Sequence, residues 1–244
     1  MQRADPRVAD LVRSGRIRVA LFLPQYSKDA ASGALKGVGT GVIAIEIAHV
    51  LAARLDIAAA LIGRPTPKMA VACLKNDGCD VAFLGIEPSR TAEVGFSAAI
   101  FQFDYTLLVP AGSLIHGVAD ADRPGTRIAV VDGHASALAL QRMVTHAELV
   151  GVELPDDGFE LLRAGKVAAF ALPRQQLVDY ARKLPGARAL DDSYGVNRVA
   201  MAVRKDRSEW LAYLNEFIED AKASGLIQRV IDNGALHGFA IAAR

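Results

Sequence analysis

The sequence predicts an α/β fold of two lobes, each built on a mixed, mostly parallel sheet flanked by helices. Three observations carry that prediction. Short apolar runs alternate with amphipathic stretches in steps of about 20 to 25 residues, the rhythm of β-α-β units joined by right-handed crossovers. The series runs twice, once within the first hundred residues and again from residue 105. Beyond it come a strand and two helices that need an apolar surface to pack on, and the first lobe lacks that cover.

In chain order, residues 5–15 form a short polar lead-in ending at Gly15. Residues 16–22 (RIRVALF) make the first strand, broken by Pro24, and a polar loop runs to about Gly41. Residues 42–55 read as an amphipathic helix with Ile43, Ile47, Val50 and Leu51 inward. A strand over 57–62 precedes Thr66-Pro67, a capping hydroxyl followed by proline at the first helical position. That helix carries Met69, Cys73 and Leu74 inward and ends near Asp77-Gly78. Residues 81–86 are an apolar run bounded by breakers, as in a strand covered on both faces.

The second series starts with a strand over 105–109. Residues 127–131 (RIAVV) follow as a buried strand ending at Asp132-Gly133-His134. Helix 135–144, strand 147–152, helix 156–163, strand 167–172 and helix 174–183 complete it, with a short strand at 187–190. A strand over 196–203 then leads to Trp210, Leu214, Phe217, Ile218 and Ala221, which are core residues at helical spacing. Gly225 closes that helix, and residues 226–232 form the last one.

Composition excludes several classes. The chain has 244 residues, 52% of them apolar, and a formal net charge of +1. Its basic residues are dispersed, so nucleic acid is not an expected partner. No apolar run reaches the roughly 18 residues of a membrane helix. The first residues contain no apolar signal region, which leaves a cytoplasmic or an exported location open. Cys73 and Cys79 are expected as reduced, buried thiols, with a local disulfide or metal pair as the alternative.

Few residues suggest chemistry. The run Gly37-Val38-Gly39-Thr40-Gly41 has the wrong spacing for a dinucleotide loop and reads as a flexible connector. Gly133-His134-Ala135-Ser136 joins a strand to a helix, so its backbone N–H groups suit a carboxylate or phosphate; Ser136 is also a candidate cap. His134 and Ser136 stand too close in sequence to make a nucleophile–base pair easily, and Ser113 lacks the nucleophile-elbow glycines. His116, His146 and His237 show no metal spacing. No catalytic residue, metal or cofactor is expected. Arg90, in the loop just past strand 81–86, is placed where open α/β sheets bind ligands, and its planar fork suits a carboxylate. The alternative is a salt bridge to Glu87 or Glu93.

With these residues placed, the chain resembles the bacterial extracellular solute-binding proteins of family 3, the polar amino-acid branch of ABC-importer binding proteins. The resemblance runs from about Arg16 to Ala243. Its most specific part is Gly78-Cys79-Asp80-Val81, Gly85-Ile86-Glu87-Pro88-Ser89-Arg90 and Phe96-Ser97. Val109-Pro110-Ala111-Gly112-Ser113, Asp122-Arg123-Pro124-Gly125, Val130-Val131-Asp132-Gly133-His134 and Lys222-Ala223-Ser224-Gly225-Leu226-Ile227 also fit.

The resemblance implies the type 2 periplasmic-binding-protein fold with two hinge crossings. One lobe would comprise 1–105 with 200–244, the other 106–199. It implies that Arg90 pairs with a ligand carboxylate, that Gly85 is the small residue before it, and that the backbone from His134 through Ala135 to Ser136 also meets the carboxylate. Phe22, Gln25 and Tyr26 would be the remaining wall of the first lobe.

The departures bear on the ligand. The acid that usually holds an α-ammonium group falls at Pro173, and the usual threonine before the arginine is Glu87. Glu87 would then replace the ammonium partner or pair with Arg90. Arg174 would add a second positive contact, suited to a dicarboxylate or keto acid. The implied function is capture of a small anionic solute, an amino acid or related organic acid, for the membrane subunits of an ABC permease. The protein would act as a monomer in the periplasm, without inserting in the membrane. The alternatives are a cleft enzyme acting on prephenate-like acids and a sensor without a permease.

Overall fold

The structure is a computed structural model that describes residues 5–23, 25–234 and 238–243; Pro24 and His237 lie outside them. The chain divides into two compact units, Met1–Gln102 with Arg198–Arg244, and Phe103–Asn197.

In unit 1, α1 (Ala9–Ser14) ends at left-handed Gly15 and leads into β1 (Arg16–Phe22). A hairpin of β2 (Tyr26–Lys28) and β3 (Leu35–Gly37) precedes α2 (Thr40–Arg54). Then come β4 (Ala58–Arg64), α3 (Pro67–Lys75), β5 (Val81–Gly85) and the single-turn α4 (Pro88–Thr91). Thr66 caps α3 through Met69 N–H at 3.3 Å, with Pro67 at the first helical position. The chain leaves along β6 (Val94–Val109) and returns along β11 (Gly195–Arg204). The unit ends with α8 (Ser208–Ala223), α9 (Leu226–Asn233) and β12 (Ala240–Ile241).

Its strand order is β4-β1-β5-β11-β6. β1 runs parallel to both β4 and β5, while β11 is antiparallel to β5. β5 is buried along its whole length, which is why it reads as a continuous apolar run rather than an alternating one. Trp210, Leu214, Phe217 and Ile218 of α8 are buried, so the late helices do supply core.

Unit 2 contains β7 (Arg127–Val131), α5 (Ala135–Gln141), β8 (Glu148–Val152), α6 (Pro155–Arg163), β9 (Ala169–Pro173), α7 (Arg174–Ala181) and β10 (Arg188–Ala189). Its strand order is β6-β9-β7-β8, with β9, β7 and β8 parallel and β6 antiparallel to β9. Phe159, Leu162, Phe170, Leu172 and Leu177 form its core.

Five expectations are corrected. The cysteines are joined: Cys73 and Cys79 form a disulfide with Cα atoms 5.4 Å apart. The tight turn at Asp77-Gly78 brings them there, with Gly78 N–H donating to the Cys73 carbonyl at 2.8 Å. The strand expected at 105–109 is the far end of a 16-residue strand. The loop before Gly41 contains the hairpin, and Thr40 and Gly41 belong to α2. A Cβ at Gly41 would collide with the Gln25 carbonyl, so this glycine serves close packing rather than flexibility. α5 stops at Gln141 instead of residue 144. Val50 and Met69 are 36% and 47% exposed, because the buried faces of their helices are formed by Ile43, Ile47 and Leu51, and by Ala70, Cys73 and Leu74.

Candidate functional site

The carboxyl end of β5 positions the first group of residues. Gly85 pairs with Val199 of β11, and Ile86 N–H donates to the Arg198 carbonyl at 2.8 Å, which fixes where the strand stops. Pro88 then opens α4 at its first position, and the Glu87 carbonyl accepts from Arg90 and Thr91 N–H at 2.9 and 3.0 Å. Arg90 therefore stands in a helical turn rather than an open loop. That turn folds the side chain back, so that Arg90 Nη1 donates to the Gly85 carbonyl at 3.0 Å. Arg90 is 6% exposed and Glu87 5%. Glu93, the other expected salt-bridge partner, instead pairs with Lys75 at 2.7 Å.

Phe22, Gln25 and Tyr26 follow β1. Gln25 accepts from Phe22 N–H at 3.2 Å through Oε1 and donates from Nε2 to the Phe83 carbonyl at 3.1 Å. The Tyr26 hydroxyl donates to the Arg64 carbonyl at 3.3 Å, and its ring lies against Gly63. Both side chains thus brace the carboxyl ends of β1, β4 and β5. Their polar atoms bond the backbone of the sheet. Phe22 is buried with them.

In unit 2, β7 ends at Val131, and Gly133 turns the chain at φ 69° into α5. His134, not Ser136, is the cap. Its Nδ1 accepts from Ser136 N–H at 3.3 Å and lies 2.8 Å from Ser136 Oγ. The two side chains that looked too close in sequence to pair are in contact, because a capping turn reverses the chain between them. Ala135 and Ser136 are buried beside them.

Arg174 is bonded within unit 2. Its Nε donates to Asp104 Oδ2 at 2.7 Å, Nη1 to the Leu190 carbonyl at 2.5 Å, and Nη2 to the Asp191 and Asp192 carbonyls at 3.0 and 3.1 Å. This guanidinium ties the 190–192 segment to β6. Sequence reading also missed Tyr194, a buried side chain stacked on Tyr105 with ring centroids 5.7 Å apart. Burial pushes its phenol up, and the neighbouring Ser136 hydroxyl offsets part of that rise. No local pattern marks it, since its neighbours come from distant parts of the chain.

A groove of about 730 Å³ lies at the other end of the unit 1 strands, lined by residues including Arg16, Arg18, Asp77, Cys79, Arg204 and Trp210. It is distinct from the Gly85–Arg90 region, which sits at the carboxyl end of β5. Among the described residues, no cluster of three or more His, Cys, Asp or Glu side chains could hold a metal. No helix among them is long and apolar enough to cross a membrane.

Comparison with known proteins places this geometry among relatives. The family model of the bacterial extracellular solute-binding proteins, family 3, matches residues 23–233. The ABC transporter glutamine-binding protein of Bacillus subtilis is 27% identical over 207 residues, covering 81% of this chain and 72% of that protein. Among solved structures, an amino acid ABC transporter substrate-binding protein from Streptococcus pneumoniae bound to L-arginine superposes with a TM-score of 0.77 at 18% identity. The match covers 98% of this chain and 100% of that one. An ancestral amino acid-binding protein, a precursor of cyclohexadienyl dehydratase, gives a TM-score of 0.76 at 21% identity, covering 93% and 98%. These structures share the fold.

Proposed function

Since this chain belongs to family 3 of the bacterial extracellular solute-binding proteins, we propose that it is the substrate-binding component of an ABC-type importer. Its solute is a small molecule bearing a carboxylate, an amino acid or a related organic acid. Arg90 carries the reading. It is a buried, permanently charged guanidinium just beyond the carboxyl end of a buried strand, the place where open α/β sheets bind ligands. Its planar fork takes a carboxylate through two parallel hydrogen bonds.

Gly85 and Glu87, at the same strand end, are proposed as solute contacts with it. His134, Ala135 and Ser136 are proposed as further carboxylate contacts, through the backbone N–H groups at the start of α5. Phe22, Gln25, Tyr26 and Arg174 are proposed as further solute contacts that are also hydrogen-bonded or packed within their own units. The arginine-bound relative widens the expectation of an anionic solute, since that ligand carries a carboxylate yet is cationic overall. The shared feature is the carboxylate rather than the net charge.

The loaded protein would deliver its solute to the membrane subunits of a permease. We place it in the periplasm, and the disulfide supports an oxidising compartment. Isothermal titration against a carboxylate library, with wild type and Arg90→Ala, tests the assignment. Truncating one partner of a buried charge pair should weaken binding by on the order of 100-fold or more. Equal affinity of the two proteins would refute the role of Arg90. A binding rather than catalytic role makes a separate claim: incubation with prephenate or arogenate should yield no aromatic product.

A further inference from the structure

We propose that Cys73–Cys79 is a thiol–disulfide exchange site of fixed polarity, in which an incoming thiolate attacks Cys79 Sγ and Cys73 leaves as the thiolate. Two independent placements support this. Cys79 lines the groove at the amino end of β5, whereas Cys73 Sγ accepts a hydrogen bond from Arg64 Nη2 at 3.1 Å. A guanidinium on one sulfur stabilises the negative charge that develops there as the S–S bond breaks. The leaving group of lower pKa departs faster, so the sulfur beside Arg64 is the one expelled.

The groove presents mixed charge to the incoming partner. Arg18, Arg204 and Arg207 lie 3.7, 3.3 and 3.9 Å from the Asp77 carboxylate, and each has a second acid partner, Asp80 at 2.7 Å, Asp206 at 2.6 Å and Asp10 at 3.6 Å. Both cysteines are buried, at 6% and 2% exposure, so attack follows opening of the short turn between them. Asp77 occupies that turn at φ 57°, a backbone region that favours glycine, asparagine and aspartate.

The chemistry balances with a thiol donor of low molecular weight, or a dithiol. The first thiolate forms an S–S bond to Cys79 and displaces Cys73 with the electron pair of the broken bond. A second thiolate then attacks the donor sulfur of that mixed disulfide and releases Cys79. Two thiols are oxidised to one disulfide, and their two protons pass to Cys73 and Cys79. Run in reverse, the bond forms by transfer of an external disulfide to Cys79, followed by closure by Cys73.

The experiment uses glutathione, an acid quench, iodoacetamide and tryptic mapping of the whole protein. Trypsin separates the two cysteines, because Lys68, Lys75 and Arg90 bound peptides 69–75 and 76–90. The expected result is glutathione on peptide 76–90 and carbamidomethylation on peptide 69–75. Arg64→Gln should slow adduct formation by on the order of three- to tenfold, with most of the rate kept in Arg64→Lys. In reduced protein, Arg64→Gln should also move alkylation of Cys73 to higher pH. Adduct on peptide 69–75, an even distribution, or an unchanged rate in Arg64→Gln would overturn the proposal. The wild-type map decides it even where the variants fail to fold.

Discussion

Arg90 and Arg174 carry the same side chain and reach opposite ends. Arg90 is buried at a strand end, whereas three nitrogens of Arg174 hold Asp104 and the carbonyls of 190–192. Arg174→Gln should therefore lower stability in urea by about 1 kcal/mol, through loss of the part-buried bonds to Asp104 and the Leu190 carbonyl, and leave solute affinity within a few-fold of wild type. A large loss of affinity without a loss of stability would contradict this. Arg90 was legible because it follows a run of five buried residues and two breakers, a strictly local pattern. The employment of Arg174 was not legible, because Asp104 stands 70 positions earlier in the chain. The contact between His134 and Ser136 shows the same limit in a shorter span: two residues apart in sequence, they meet because His134 caps the helix that starts at Ala135.

Asp122 organises a turn between elements. Its carboxylate accepts N–H bonds from Thr145, His146 and Ala147 ahead of β8. The bonds of Ala147, His146 and Thr145 hold the carboxyl below its ordinary value. A depressed carboxylate contributes stability above its unfolded pKa, near 4, and loses it as pH falls towards the folded value. Asp122→Asn should flatten the fall of Tm with pH below about 4, measured by thermal scans across that window. Reducing the Cys73–Cys79 bond, or replacing both residues with serine, should cost about 2 kcal/mol by loop-closure entropy. In a chain of this size that lowers Tm by several degrees. The strand RIAVV was legible to the residue because it is short, uniform and buried. β6 was not, because its pairing changes along its length from β12 at Phe101–Gln102 to β9 at Tyr105–Leu108, and a mixed pattern results.

For the whole molecule, binding of solute to the folded state alone should raise stability with concentration. At 100 times the dissociation constant the gain is about 2.7 kcal/mol, or roughly 5–10 °C in Tm. The rise should be absent in Arg90→Ala at the same solute concentration, and thermal scans with each library member would show it. The sequence alone was enough for the alternation of strands and helices, the return of the last helices to the first unit's core, and the position of Arg90 past β5. Those features depend on periodicity, turn chemistry and burial, which act between neighbouring residues. Only the tertiary structure decided that the cysteines are bonded, that Gln25, Tyr26 and Arg174 brace their own units, and that Arg90 is folded back onto Gly85 in a helical turn. Each of these depends on a close approach whose geometry spacing along the chain does not encode. The arginine that marks the strand end is thus legible as a residue, while its burial and hydrogen bonding belong to the fold.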